Sequence, residues 1–267
     1  MSNSKEYKLE AFSRLLDVLD ELRTKCPWDR KQTNESLRCN TIEEVYELSN
    51  ALLENDINDI KKELGDVLLH IIFYAKIADE KGQFDIADVC NSLREKLIFR
   101  HPHVFGTVNV KDSSDVEHNW EKIKLKEKDG NRTILAGVPS ALPSMIKAER
   151  IQEKAANAGF DWEKPEDVWD KVKEEILEAE IEIKKGNTAS IEKEFGDILF
   201  SIINAARLYK VNADNALEAT NRKFIRRFNF VEERVKEAGR ALNDMTLQEM
   251  DELWNKAKVL EKKNTAE

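Results

Sequence analysis

The chain has 267 residues, enough for one large domain or two of ordinary size, each able to bury a core. Charged residues make up 36% of it, against only 9 Gly and 5 Pro, which favours long helices over turn-rich folds. A net charge of -9 and a pI near 5.3 argue against a general binder of nucleic-acid polymers, whose affinity comes from clustered Lys and Arg.

The first residues, MSNSKEYKLEAF, hold no apolar core of signal-peptide length, and the most apolar run, Val67 to Ala75, contains His70 and is too short to span a bilayer. No membrane partner is expected. Cys26, Cys39 and Cys90 show neither CxxC nor zinc-ligand spacing, so a cytoplasmic, reducing location is expected.

Apolar spacing predicts helices near 5–24, 41–55, 57–81, 85–99 and 113–128, then near 142–158, 166–185, 188–209, 213–238 and 246–263. In the third of these, Ile57, Ile60, Leu64, Val67, Leu68, Ile71, Ile72 and Ala75 recur at three- and four-residue steps, which gives the helix one core face. The stretch DGNRTILAGVPSALPS, 129–144, gathers two glycines and two prolines and reads as punctuation between domains. The expected division is an amino-terminal helical domain over 1–128, a linker over 129–141 and a carboxy-terminal helical domain over 142–267.

The two halves repeat. ELGDVLL at 63–69 is answered by EFGDILF at 194–200, and Glu43, Glu44, Glu47, Glu63, Gly65 and Asp66 map onto Glu174, Glu175, Glu178, Glu194, Gly196 and Asp197, 131 positions later without a gap. Further on, Lys96 and Arg100 answer to Lys223 and Arg227 at 127, and Trp120 and Lys124 to Trp254 and Lys258 at 134. A repeat this long, with several helices per copy, is a duplicated domain rather than a short-period solenoid. The fold class is all-α, with two tandem helical-bundle modules.

Each copy carries EExxE followed by ExxD: Glu43, Glu44, Glu47, Glu63 and Asp66, then Glu174, Glu175, Glu178, Glu194 and Asp197. At about 100° per residue, positions i, i+1 and i+4 share one arc of a helix, and i and i+3 are neighbours on the next. Two antiparallel helices then bring four or five carboxylates together. Their mutual repulsion is relieved by a hard divalent cation, Mg²⁺ or Mn²⁺. Such an ion can hold triphosphate oxygens and lower the pKa of a coordinated water, the requirements of phosphoanhydride hydrolysis. The bland alternative is a solvated acidic face; both motifs recurring in order, each with its second and fourth carboxylates 19 positions apart, weigh against it.

This pattern is the signature of the all-α NTP pyrophosphatase superfamily, and CPWD at 26–29, RHPHVF at 100–105 and GFDW at 159–162 resemble the MazG type within it. The resemblance covers nearly the whole chain. It implies hydrolysis of nucleoside triphosphates to the monophosphate and pyrophosphate, by metal-activated water attacking the α-phosphorus, with Mg²⁺ and a homodimer. The tandem layout implies broad NTP and dNTP acceptance. By similarity, Lys171, Lys223, Arg227 and Lys258 of the second copy, with Arg100 and Lys124 of the first, are the expected phosphate-side residues, and Asn204, which stands opposite Phe73 in the repeat, is an amide able to hydrogen-bond a sugar or base. Trp254, four residues before Lys258, is placed to stack on a base, with Trp120 and Trp162 as further candidates and Trp28 structural.

Three other readings compete. A narrower dUTP or dCTP pyrophosphatase differs in its substrate panel, and a non-catalytic helical dimerisation module would release no pyrophosphate. A redox di-metal bundle needs ExxH, which the sequence lacks. There is no HExxH and no P-loop motif, and His101 and His103 flank Pro102 in what reads as an extended or turn segment used for packing. The copies are expected to be unequal. Asn40 stands where the second has Lys171, and Phe73 where it has Asn204, so the second copy is expected to carry the chemistry and the first to be degenerate.

Overall fold

A computed structural model describes residues 3–112, 115–116, 119–120, 123 and 133–264. Among these every regular element is helical, and no helix is long and apolar enough to cross a membrane. The predicted helix near 113–128 lies largely outside the described residues, as does Lys124.

Contacts divide the chain into two units, Met1–Val110 and Lys111–Glu267. The punctuated stretch at 129–141 thus falls within the span of the second unit.

The first unit holds α1 (Lys5–Lys25), α2 (Asn34–Glu54), α3 (Ile57–Asp79), α4 (Ile86–Arg100) and a one-turn α5 (Pro102–Phe105). α2 and α3 form the main hairpin, and α1 packs on α3. Their shared core is Leu19, Leu37, Ile72, Phe73 and Ile77, each 2% or 3% exposed, with Phe12, Leu15, Leu16, Leu68, Tyr74 and Ile86 packed around it.

One sequence expectation needs correction here, and another is narrowed. α2 begins at Asn34, well before the predicted 41, because Thr33 and Ser36 form a reciprocal capping box ahead of a polar first turn that carries no apolar periodicity. Of the extended and turn alternatives around Pro102, the structure has the turn. Pro102 opens a helical turn, where its missing N–H costs nothing, while His101 is the non-helical residue before it, its ring Nδ1 lying 2.6 Å from the Leu97 carbonyl.

The second unit holds α6 (Ser144–Asn157), α7 (Val168–Lys185), α8 (Thr188–Leu208), α9 (Ala213–Glu237) and α10 (Leu247–Asn264). α7 and α8 repeat the α2–α3 hairpin, α6 packs on α8 and α9, and α9 pairs with α10. The 131-residue register survives in the backbone. Asn55 (φ 55°) and Gly186 (φ 75°) both take the left-handed conformation that ends the first helix of each hairpin, and Asp56 and Asn187 cap the second. Leu37 and Val168, equivalent in that register, are both almost fully buried.

A polar clasp closes the first unit. The Arg23 guanidinium, at the end of α1, donates to both oxygens of Glu80 (2.9 and 2.6 Å), to the Gln32 carbonyl at 3.2 Å and to the Asp29 carbonyl, and lies over the Phe73 ring. That contact holds the Glu80 carboxyl below its ordinary range. Arg23→Met should cost about 1.5 to 3 kcal/mol of stability, the range for hydrogen bonds to charged groups. Because the folded-state value is lowered, the Glu80 contribution is present above the ordinary carboxylate range and is lost as pH falls through the folded value. Denaturant melts from pH 7 downwards should therefore fall less steeply for Glu80→Gln than for the parent chain; parallel curves would contradict the clasp.

Candidate active site

The tight hairpin turns set two antiparallel helices so that their carboxylates converge. In the first unit Glu44 of α2 and Glu63 and Asp66 of α3 each offer an oxygen within 4.8 Å of the others. Glu63 is 5% exposed; its Oε1 accepts from Lys62 Nζ at 2.7 Å, and its Oε2 is buried with no hydrogen-bond partner. Burial first, then the charges of Asp66, Glu47, Glu63 and Glu43, push the Glu44 carboxyl above its ordinary range. Glu43 and Glu47 lie outside this trio, exposed, and border with Tyr46, Asn50 and Glu63 an open cleft of about 580 Å³.

The second unit repeats the trio with Glu175 of α7 and Glu194 and Asp197 of α8, again within 4.8 Å. Here two members are buried, Glu175 at 6% and Glu194 at 8%, and Glu194 Oε2 has no partner. Lys171 Nζ sits 2.7 Å from Glu175 Oε1 and 3.1 Å from the exposed Glu174, which raises its own pKa through hydrogen bonds first to Glu175 and then to Glu174. Glu178 is exposed on the same helix. All donors in both trios are carboxylate oxygens, the set a hard divalent cation takes, and each buried orphan oxygen is an acceptor still to be filled. The residues fit Mg²⁺ or Mn²⁺.

The expected substrate residues fall into separate groups. Asn204 is on α8, seven residues beyond Asp197, where two helical turns return it to the same face. Its Oδ1 accepts from Arg207 Nε at 3.0 Å and Nη2 at 2.8 Å, and Arg207 is ion-paired with Asp161. Lys223 and Arg227 are on α9, Trp254 and Lys258 on α10. Arg227 pairs with Glu261 at 2.7 Å and lies over the Trp254 ring, whose edge meets Phe224 at 4.9 Å between centroids. Arg100 ends α4, half-buried, in the first unit. Trp162 lines a cavity with Asn204, whereas Trp28 is 59% exposed.

That cavity, about 510 Å³, lies between α6 and α8 and is walled by Leu135, Ile151, Ala155, Phe160, Trp162 and Phe200, with Gln152, Asp161, Asn204 and Arg207 as its polar groups. Arg207 and Gln152 were not singled out by the sequence, and Asp161 entered only as part of GFDW. The available signal was a polar Gln152 at a core-facing position, four residues after Ala148 and three before Ala155. In the first unit Phe73, in the place of Asn204, is 3% exposed and belongs to the buried core with Leu19.

Fold and site together define an all-α protein with two internally repeated carboxylate clusters, each built on a helical hairpin and suited to a hard cation. The model of the MazG nucleotide pyrophosphohydrolase domain matches residues 32–105 and 163–231, and the chain belongs to this family of hydrolases. It is 44% identical, over 92% of this chain and 95% of the relative, to the nucleoside triphosphate pyrophosphohydrolase/pyrophosphatase MazG of Thermotoga maritima. It is 39% identical, over 94% of this chain and 98% of the relative, to the nucleoside triphosphate pyrophosphohydrolase of Escherichia coli. The uncharacterized protein YabN of Bacillus subtilis is 46% identical over 97% of this chain, which spans 54% of that longer relative.

Saturating Mg²⁺ or Mn²⁺ should raise the thermal midpoint, because binding adds about 2.7 kcal/mol of stability per site at a hundredfold excess over the dissociation constant. Glu194→Gln removes one of three clustered negative charges. The metal-free variant should therefore melt no lower than the parent, while the second site's share of the metal-induced rise disappears; an unchanged rise would count against the assignment.

Proposed function

We propose that the chain hydrolyses nucleoside triphosphates to the monophosphate and pyrophosphate, with broad acceptance of NTPs and dNTPs, and that the second copy does the chemistry. The observation that carries this reading is the buried, unpartnered Glu194 Oε2 in a trio with Glu175 and Asp197, on the same helix as a ligand-sized cavity. Membership of the family and the names of the two long relatives support the bond class.

In this reading Glu175, Glu194 and Asp197 hold Mg²⁺, with Glu174 and Glu178 on the exposed rim. The bound ion would neutralise triphosphate charge and lower the pKa of a coordinated water. The water oxygen joins the α-phosphorus and the α,β-bridging oxygen leaves with pyrophosphate. Lys171, held between Glu174 and Glu175, is the internal counter-cation that exchanges carboxylate partners for phosphate oxygens when substrate arrives. Lys223, Arg227 and Lys258 supply further positive charge, with Arg100 of the first copy as a further candidate by family resemblance; Lys124, the other, lies outside the described residues. Trp254 offers an aromatic face near Arg227.

The first copy keeps Glu43, Glu44, Glu47, Glu63 and Asp66 but has Asn40 for Lys171 and buries Phe73 where Asn204 stands, so it is read as a metal-capable, degenerate copy. Loss of one charge-assisted contact costs about 1.5 to 3 kcal/mol, roughly tenfold to a hundredfold in binding or rate. Exposed Phe195, Leu199 and Ile202 on α8, with Ile176, Leu177 and Ile181 on α7, support a homodimer that covers these faces. The free thiols of Cys26, Cys39 and Cys90 fit a reducing, cytoplasmic setting.

Hydrolysis in ¹⁸O-labelled water should place the heavy oxygen in the monophosphate and none in pyrophosphate; orthophosphate as primary product would sink the proposal. Glu175→Gln or Asp197→Asn should abolish turnover, whereas Glu44→Gln or Asp66→Asn should leave most of it. Equal losses with the assembly intact would refute the asymmetry. Sedimentation at micromolar concentration should give a dimer, and a stable monomer would argue against the covered faces.

A further inference from the structure

Along α10, Trp254, Lys258 and Glu261 stand at i, i+4 and i+7, so a ring, a cation and a carboxylate follow one another on one helix face. The same spacing recurs in the sequence of the first copy at Trp120, Lys124 and Glu127, the last two of which lie outside the described residues. In both copies a carboxylate keeps step with the tryptophan and the lysine.

On electrostatic grounds Glu261 is out of place. Lys223, Arg227 and Lys258 are read above as the charges that meet a triphosphate, and a carboxylate among them repels the same phosphates. What Glu261 does is hold Arg227. The Arg227 Nε donates to Glu261 Oε2 at 2.8 Å, and Nη2 lies 2.7 Å from the same oxygen, while Glu261 Oε1 is 3.5 Å from Nε of the more exposed Arg226. The guanidinium lies 5.7 Å from the centre of the Trp254 ring, and Phe224 meets that ring at 4.9 Å between centroids.

This contact uses one edge of the guanidinium. Its five N–H bonds lie along two edges, Nε–H with one Nη2–H, and the other Nη2–H with Nη1. Glu261 takes the first edge. Nη1 has no partner among the described residues, so the second edge is left for a bidentate contact with a pair of phosphate oxygens. A carboxylate that blocked Arg227 would have to leave before substrate entered, whereas Glu261 and a phosphate can hold the two edges of one planar group together.

We propose that Glu261 is a positioning residue: with Trp254 against the guanidinium, it locks Arg227 in the orientation from which the second edge meets the triphosphate. The inference rests on the reading of Arg227 as a phosphate-side residue. A lysine in that place could not be aimed in this way, because an ammonium is a point charge with no planar second edge.

The test is a double-mutant cycle, read as kcat and KM for pyrophosphate release from ATP by the full chain with Mg²⁺. Arg227→Lys should lower kcat/KM by about tenfold or more, as loss of a charge-assisted bidentate contact does. Glu261→Leu lets the guanidinium swing and should cost about tenfold, chiefly in KM. Glu261→Gln keeps an oxygen that accepts from the same edge, and should stay within about threefold of the parent. In the Arg227→Lys background Glu261→Leu should cost nothing further, because no second edge remains to be aimed. A role for Glu261 in folding alone would cost the same in both backgrounds, and that result would overturn the proposal. So would a Glu261→Leu chain as active as the parent or more so, the mark of a carboxylate that only competes with phosphate. Equal damage from Gln and Leu would overturn it as well, since the accepting oxygen would then not matter. Arg227→Lys without effect would instead remove the phosphate-side reading of Arg227, and the inference with it.

Discussion

Carboxylates that converge within 4.8 Å have to be paid for in repulsion, of the order of 3 kcal/mol per pair at an effective dielectric near 20, and the rest of the fold is arranged so that this repulsion has one remedy. The hairpins fix the helices through two-residue turns, Asn55–Asp56 and Gly186–Asn187, each with a left-handed residue followed by a side-chain cap. With the helices so held, Glu194 and Glu63 cannot swing their buried oxygens to water. Lysines stand in instead. Lys62 bonds Glu63 in the first copy and Lys171 bonds Glu175 in the second, but one carboxylate oxygen in each trio stays without a partner. A lysine neutralises charge from one side, whereas a cation at the centre satisfies all three oxygens together.

The same duplication makes the copies comparable atom for atom, and the comparison separates what the clusters need from what a ligand needs. Both copies keep the trio. Beside Asn204 the second keeps a cavity of about 510 Å³ between α6 and α8, whereas the first buries Phe73 with Leu19 in its core at the equivalent position. Packing and recognition are alternatives at this seam. The first unit's core joins Leu19, Leu37, Ile72, Phe73 and Ile77, while the buried cluster of the second unit at the matching hairpin is Val168, Val172 and Ala205.

Much of this was legible in the sequence, for identifiable reasons. Apolar residues at three- and four-residue steps mark α3 and α8 because one face of each is buried, and the gapless 131-residue register marks the hairpins because a turn of fixed length cannot absorb an insertion. The exchange of Asn204 for Phe73 follows from subtraction alone. The start of α2 was not legible, since its first turn is polar and held by a cap rather than by periodicity. The grouping within EExxE was not legible either: spacing brought four or five carboxylates together, whereas side-chain reach brings in Glu44 and Glu175 and leaves Glu43, Glu47, Glu174 and Glu178 exposed. Which of the two polar atoms of Gln152 finds a partner is a property of α6 against α8, not of α6 alone.

The central claim is that each trio is a cation site and that only the second is completed by substrate. Titration of the full chain with Mn²⁺, followed by electron paramagnetic resonance, tests it directly. The account predicts saturable binding that is lost in part with Asp66→Asn and in part with Asp197→Asn, and a tightening on addition of a non-hydrolysable nucleoside triphosphate that Asp197→Asn abolishes and Asp66→Asn leaves intact. Mn²⁺ binding indifferent to both substitutions, or a tightening that depends on Asp66, would contradict it.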